Sequence, residues 1–215
     1  MKGSIYSKLG NYDNALKYYN ISIKHIFNNT EHDIEKMEMI KFDIHQVYSY
    51  MGEFDLAINY FFTHYEDAKN RTDALWCIAV FWQISEGYLV QEKNKKALKY
   101  IEKAIAINDN TQLNELSFQL NVIANLSRKR LSIDYSNQRI KDFLNSSDIV
   151  NHPFCRSYRF TYNYFLYELL DDISYLKTAF NRVIEKADNL KPDLAAKFLS
   201  YPIPKAIVEE WEKVK

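Results

Sequence analysis

The chain has 215 residues, with 28 basic against 28 acidic side chains, 47% hydrophobic and 15% aromatic residues. That apolar content excludes a disordered chain, and a net charge of zero removes any general attraction to nucleic acid or anionic membrane. The only glycines are Gly3, Gly10, Gly52 and Gly87, too scattered to cradle a phosphate or a dinucleotide through clustered backbone amides.

Taken in chain order, three segments line up. The first runs Tyr6-Ser-Lys-Leu-Gly10-Asn-Tyr12-Asp-Asn-Ala15-Leu-Lys-Tyr18-Tyr19. The second runs Tyr48-Ser-Tyr-Met-Gly52-Glu-Phe54-Asp-Leu-Ala57-Ile-Asn-Tyr60-Phe61. The third runs Tyr88-Leu-Val-Gln-Glu92-Lys-Asn94-Lys-Lys-Ala97-Leu-Lys-Tyr100-Ile101. Their alanines lie 42 and 40 residues apart. Tyr6, Tyr48 and Tyr88 stand near the end of a first helix, and Gly10 and Gly52 end it in a left-handed turn. Asp13 and Asp55 put negative charge at the start of a second helix. Ala15, Ala57 and Ala97 are small where the two helices cross. The aromatic pairs that follow, including Tyr18/Tyr19 and Tyr60/Phe61/Phe62, mainly fill the space between repeats. The third segment replaces the glycine by Glu92 and the turn aromatic by Asn94, so its pattern is the weakest.

Beyond residue 110 the pattern predicts degenerate hairpins. One helix is expected over 113–131, from Leu113, Leu116, Leu120, Ile123, Ala124 and Leu131, and another over 134–144 with Ile140, Phe143 and Leu144. A break falls at Asn151–Pro153, before helices over 158–170 and 173–187 separated by Asp171-Asp172 as turn and cap. The tail reads as a Pro-containing linker from residue 191. A helix over 205–214 follows it, whose Ile203, Ile207, Val208, Trp211 and Val214 stripe would cover the last open face of the stack.

At the three aligned segments the chain resembles the tetratricopeptide repeat, a helix–turn–helix unit of about 34 residues. The resemblance covers about residues 1–110; 111–190 reads as two degenerate hairpins and 191–215 as linker and capping helix. It implies an all-α, right-handed α-solenoid of about five helix hairpins. The longer period is similar to arrays in bacterial signalling and regulatory proteins, and the tail looks like the end of arrays associated with ATPases, kinases or cyclases. Met1 falls inside the first helix of repeat one, so further domains are expected upstream of it.

Chemistry finds little support beside this. His25, His32, His45, His64 and His152 show no zinc-ligand spacing, so no metal is expected. Cys77 sits among apolar neighbours as a buried thiol, and Cys155 with His152 lacks an indicated oxyanion donor. Two cysteines make no disulfide framework, and cytoplasmic location is the expectation. Arg128-Lys129-Arg130 reads as cations at a helix C-terminus. The resemblance therefore implies a non-catalytic scaffold without cofactor, binding a protein or peptide partner and neither nucleic acid nor membrane. The alternative is a regulator that closes on a short signalling peptide. In this family the first helices face the concave groove. The outward positions are then Phe42, Asp43 and Gln46 in repeat two, and Trp82, Gln83 and Glu86 in repeat three. Chaperone adaptors of the family hold a carboxylate there with Lys, Arg and Asn. Asp43 and Glu86 would repel one.

Overall fold

The structure, a computed structural model, describes residues 2–28, 33–71, 73–111, 114–145 and 159–215. Every element among them is a helix: α1 (Lys2–Leu9), α2 (Tyr12–Asn28), α3 (Ile34–Met51), α4 (Phe54–Arg71), α5 (Ala74–Val90), α6 (Asn94–Thr111), α7 (Asn114–Arg130), α8 (Gln138–Asn145), α9 (Arg159–Leu170), α10 (Ile173–Asp188), α11 (Pro192–Ser200) and α12 (Pro202–Val214). The first ten pair into hairpins, and successive hairpins stack through α2–α3, α4–α5, α6–α7 and α7–α9.

The repeat persists in the backbone after it has faded from the side chains. A left-handed residue closes the first helix of every hairpin, at Gly10, Gly52, Glu92, Ser132 and Asp171, at intervals of 42, 40, 40 and 39 residues. In the first four, the amide after it reaches back to the helix, from Asn11 to Tyr6, Glu53 to Tyr48, Lys93 to Tyr88 and Ile133 to Arg128, at 2.9–3.0 Å. This is the Schellman closure, which satisfies carbonyls that a helix end leaves open. The Tyr6, Tyr48 and Tyr88 landmarks thus mark one hydrogen-bonding position. The turn after it is acidic as expected in α2 and α4. Asp33, Asp73 and Asp172 cap α3, α5 and α10 by accepting from the amides of Lys36, Trp76 and Ser174 at 2.9–3.0 Å.

Ala15, Ala57 and Ala97 are buried where their hairpins close, and Phe61 and Ile101 lie fully buried one turn further on. The centre of the stack is α5, in which nearly every residue from Cys77 to Leu89 is buried. One apolar core runs through hairpins two to five. A second joins Tyr12, Ala15, Tyr19, Ile40, Ile44 and Val47 to Leu176, Val183, Phe198, Tyr201 and Ile207, so it unites the two ends of the chain.

Two boundaries differ from the sequence pattern. The helix expected from residue 134 starts at Gln138. Asn125 fixes the preceding backbone in a non-helical form, its Nδ2 donating to the Ser136 carbonyl at 2.6 Å. The expected linker is also mostly helix: α11 begins at Pro192, and only Tyr201, extended before Pro202, separates it from α12. Proline is tolerated in a first turn, where its missing N–H would be unpaired anyway, and it forces the preceding residue out of helix. Pro202 and Pro204 both fall in such a turn.

Candidate partner-binding site

The six outward positions divide between two environments. On α3, Phe42 is half-buried, with ring centroids 5.0 Å from Phe61 and 4.8 Å from Trp76, so it packs between hairpins two and three. Asp43 and Gln46 are half-buried beside it. Burial pushes the Asp43 carboxyl above the usual carboxylate range, against a hydrogen bond with Tyr19 of α2.

On α5 the face is closed. Trp82, Gln83 and Glu86 are 5%, 4% and 7% exposed. The Trp82 indole N–H donates to the Tyr162 hydroxyl of α9 at 2.6 Å, and the rings meet edge to face. Burial pushes Glu86 up to about 7, offset in part by hydrogen bonding from Trp82, and its Oε2 has no hydrogen-bond partner. Reaching the Trp82 ring past Tyr162 requires α9 to move. Sequence reasoning missed Tyr162, which has no counterpart in the three clear repeats.

The basic run at the end of α7 is committed within the chain. Arg128 pairs with Glu102 at 2.8 Å, Lys129 with Asp171 at 2.6 Å, and Arg130 with both carboxylate oxygens of Glu168 at 2.8 Å. Arg130 also donates to the Leu89 carbonyl at 2.8 Å, so the run ties hairpin four to its neighbours on both sides. Among the histidines, the His64 Nε2 lies 2.9 Å from Glu38. His45 stacks on Tyr60 with centroids 3.5 Å apart. Among the described residues no group of three His, Cys, Asp or Glu could hold a metal, and no helix is long and apolar enough to cross a membrane. Cys77 is a buried thiol whose pKa burial raises. Cys155, His152 and the break at Asn151–Pro153 lie outside the described residues.

Exposed apolar side chains are concentrated at one end. Among the described residues, Ile5, Leu9, Ile21, Phe27, Ile34 and Met39 fall within the first 39, whereas Leu56, Leu75, Ile133, Ile173 and Val214 are spread over the rest. Met39, Asp43 and Gln46 also share one face of α3 by helical spacing.

The tetratricopeptide repeat family model matches residues 1–24, the segment of the first hairpin. In that segment the chain is similar to a tetratricopeptide repeat, and a left-handed residue recurs at the same place in all five hairpins. Repeats of this family generally mediate protein–protein contacts and are generally non-catalytic. No curated protein and no solved structure matches the chain.

Proposed function

We propose that this protein is a non-catalytic interaction scaffold of the cytoplasm, the regulatory part of a signalling protein, and that it docks its partner through α1–α3. The observation that carries this reading is the number of exposed apolar side chains on α1–α3, from Ile5 to Met39, since apolar surface left open on a folded protein is what partners cover. Asp43 and Gln46 supply polar groups on the same face of α3 as Met39. A partner helix with an apolar stripe and a basic residue fits this face. The peptide-sensor reading has less support, because Tyr162 already covers Trp82 on the inner face.

The test is proximity labelling with the full chain carrying Ile5→Asp and Met39→Glu. Both side chains are more than half exposed, so helix content should hold while the labelled set of proteins is lost. An unchanged set at unchanged yield would place the docking face elsewhere.

A further inference from the structure

Glycine holds the left-handed turn position in the first two hairpins only. The other three adopt the same backbone with Glu92, Ser132 and Asp171, so the turn by itself does not demand glycine. What distinguishes the first two turns is what lies on them. A Cβ at Gly10 would come within 2.9 Å of the Phe198 ring, and one at Gly52 within 2.9 Å of Pro202. The missing side chains make room for α11 and the start of α12.

The rest of the contact is equally specific. Phe198 is fully buried, with ring centroids 6.5 Å from Tyr12 and 6.2 Å from Phe160. Tyr201 lies on Tyr12 at 5.1 Å. The Lys186 ammonium of α10 stands 5.1 Å from the Phe160 ring and 5.7 Å from Phe198, a cation facing two aromatic faces. Lys197 pairs with Asp13 at 2.6 Å across 184 residues of sequence.

From this geometry we propose that the turns of the first two hairpins form a docking seat for a segment of the pattern basic–aromatic–x–x–aromatic–Pro. Lys197-Phe198-Leu199-Ser200-Tyr201-Pro202 occupies it in cis, and a partner segment of the same chemistry displaces it. Each wall sets one requirement. The first ring fills the space above Gly10 and meets the Lys186 cation, and the second packs at a tilt on Tyr12. The proline ring fills the space beside Gly52, and the basic residue before the first ring meets Asp13. A tethered segment competes at an effective concentration of roughly millimolar order. A free segment therefore binds the intact chain weakly and binds strongly once the cis ring is gone. This goes beyond the scaffold reading and uses none of the exposed apolar side chains of α1–α3, so either can fail alone.

The probe is a fluorescein-labelled peptide of residues 191–204, titrated into the full chain and into the Phe198→Ala chain while anisotropy is read. The substituted chain should bind it roughly ten-fold or more tightly than the parent does. Alanine at both aromatic positions of the peptide should remove a similar factor, and Asp13→Lys in the chain should weaken binding further. If Phe198→Ala fails to fold, a chain with a protease site between Asn189 and Lys191, cut after folding, replaces it, and the labelled segment should exchange in. Three results overturn the proposal: a folded, vacated chain that leaves the peptide free, equal uptake of both peptides, or a seat filled by a second copy, seen as dimer in sedimentation.

Discussion

Glu86 is where burial and charge conflict most directly. Its carboxyl lies inside the stack with one oxygen unpaired, and its pKa is raised from 4.5 to about 7. Below pH 4.5 the group is protonated in folded and unfolded chain alike and costs nothing. Between 4.5 and 7 the unfolded chain ionises while the folded one holds its proton, so folding loses stability as pH rises. Above 7 the loss is complete, at most about 3 kcal/mol. Glu86→Gln removes the ionisation while keeping the shape. In urea titrations it should match the parent within about 1 kcal/mol at pH 4.5 and exceed it by about 1–3 kcal/mol at pH 8. Equal stability at both pH values would mean that water reaches Glu86. The neighbouring Trp82 is buried in a way its own helix does not signal. A tryptophan on the first helix of a hairpin reads as a partner anchor until the chain brings Tyr162 over it, and no local pattern announces a contact 80 residues away.

At the scale of a hairpin the sequence was far more explicit, because closure is local. The aromatic landmark, the turn residue and the alanine lie within ten residues of each other, and each acts on its own hairpin. Ala57→Leu or Ala97→Leu should overpack these buried crossings and cost on the order of 1–3 kcal/mol by thermal melting. Unchanged melting in both would mean that the alanines do not mark the crossing. The repeats that looked degenerate were harder to read because the backbone position outlasts its residue type. Ser132 and Asp171 hold the left-handed turn without a glycine to signal it, and Asn125 lengthens the fourth turn through a hydrogen bond that no spacing reveals. Glu92 sits in that turn at a φ of 58°, a conformation that costs an ordinary side chain roughly 1–2 kcal/mol. Glycine loses more chain entropy on folding, so Glu92→Gly should gain a net amount of about 0.5–1 kcal/mol. A loss on denaturant unfolding would show that the Glu92 side chain contributes more than its backbone costs.

The whole molecule departs from an open array. In a solenoid each repeat touches only its neighbours, and stability is close to a sum of local terms. Here α12 packs on α10 and reaches α3, its Glu210 accepts from the Tyr167 hydroxyl at 3.0 Å, and Trp211 stacks on Phe180. The apolar stripe of the last helix announced that it would cover something. It could not say that the chain's other end would share the cover, since amphipathic spacing fixes a face and not its partner. Phe198 is the side chain that joins these ends most deeply, so the first hairpin and the last three helices should gain and lose protection together. In the parent chain, hydrogen exchange in α2 and in α11 should then respond to urea with the same midpoint, as one cooperative unit. Phe198→Ala leaves a cavity costing about 3–5 kcal/mol. Peptides from α2, α11 and α12 should then exchange faster by a common factor, while α5 to α7 keep most of their protection. Faster exchange in α11 and α12 with α2 unchanged would show that the first hairpin is held by α3 alone.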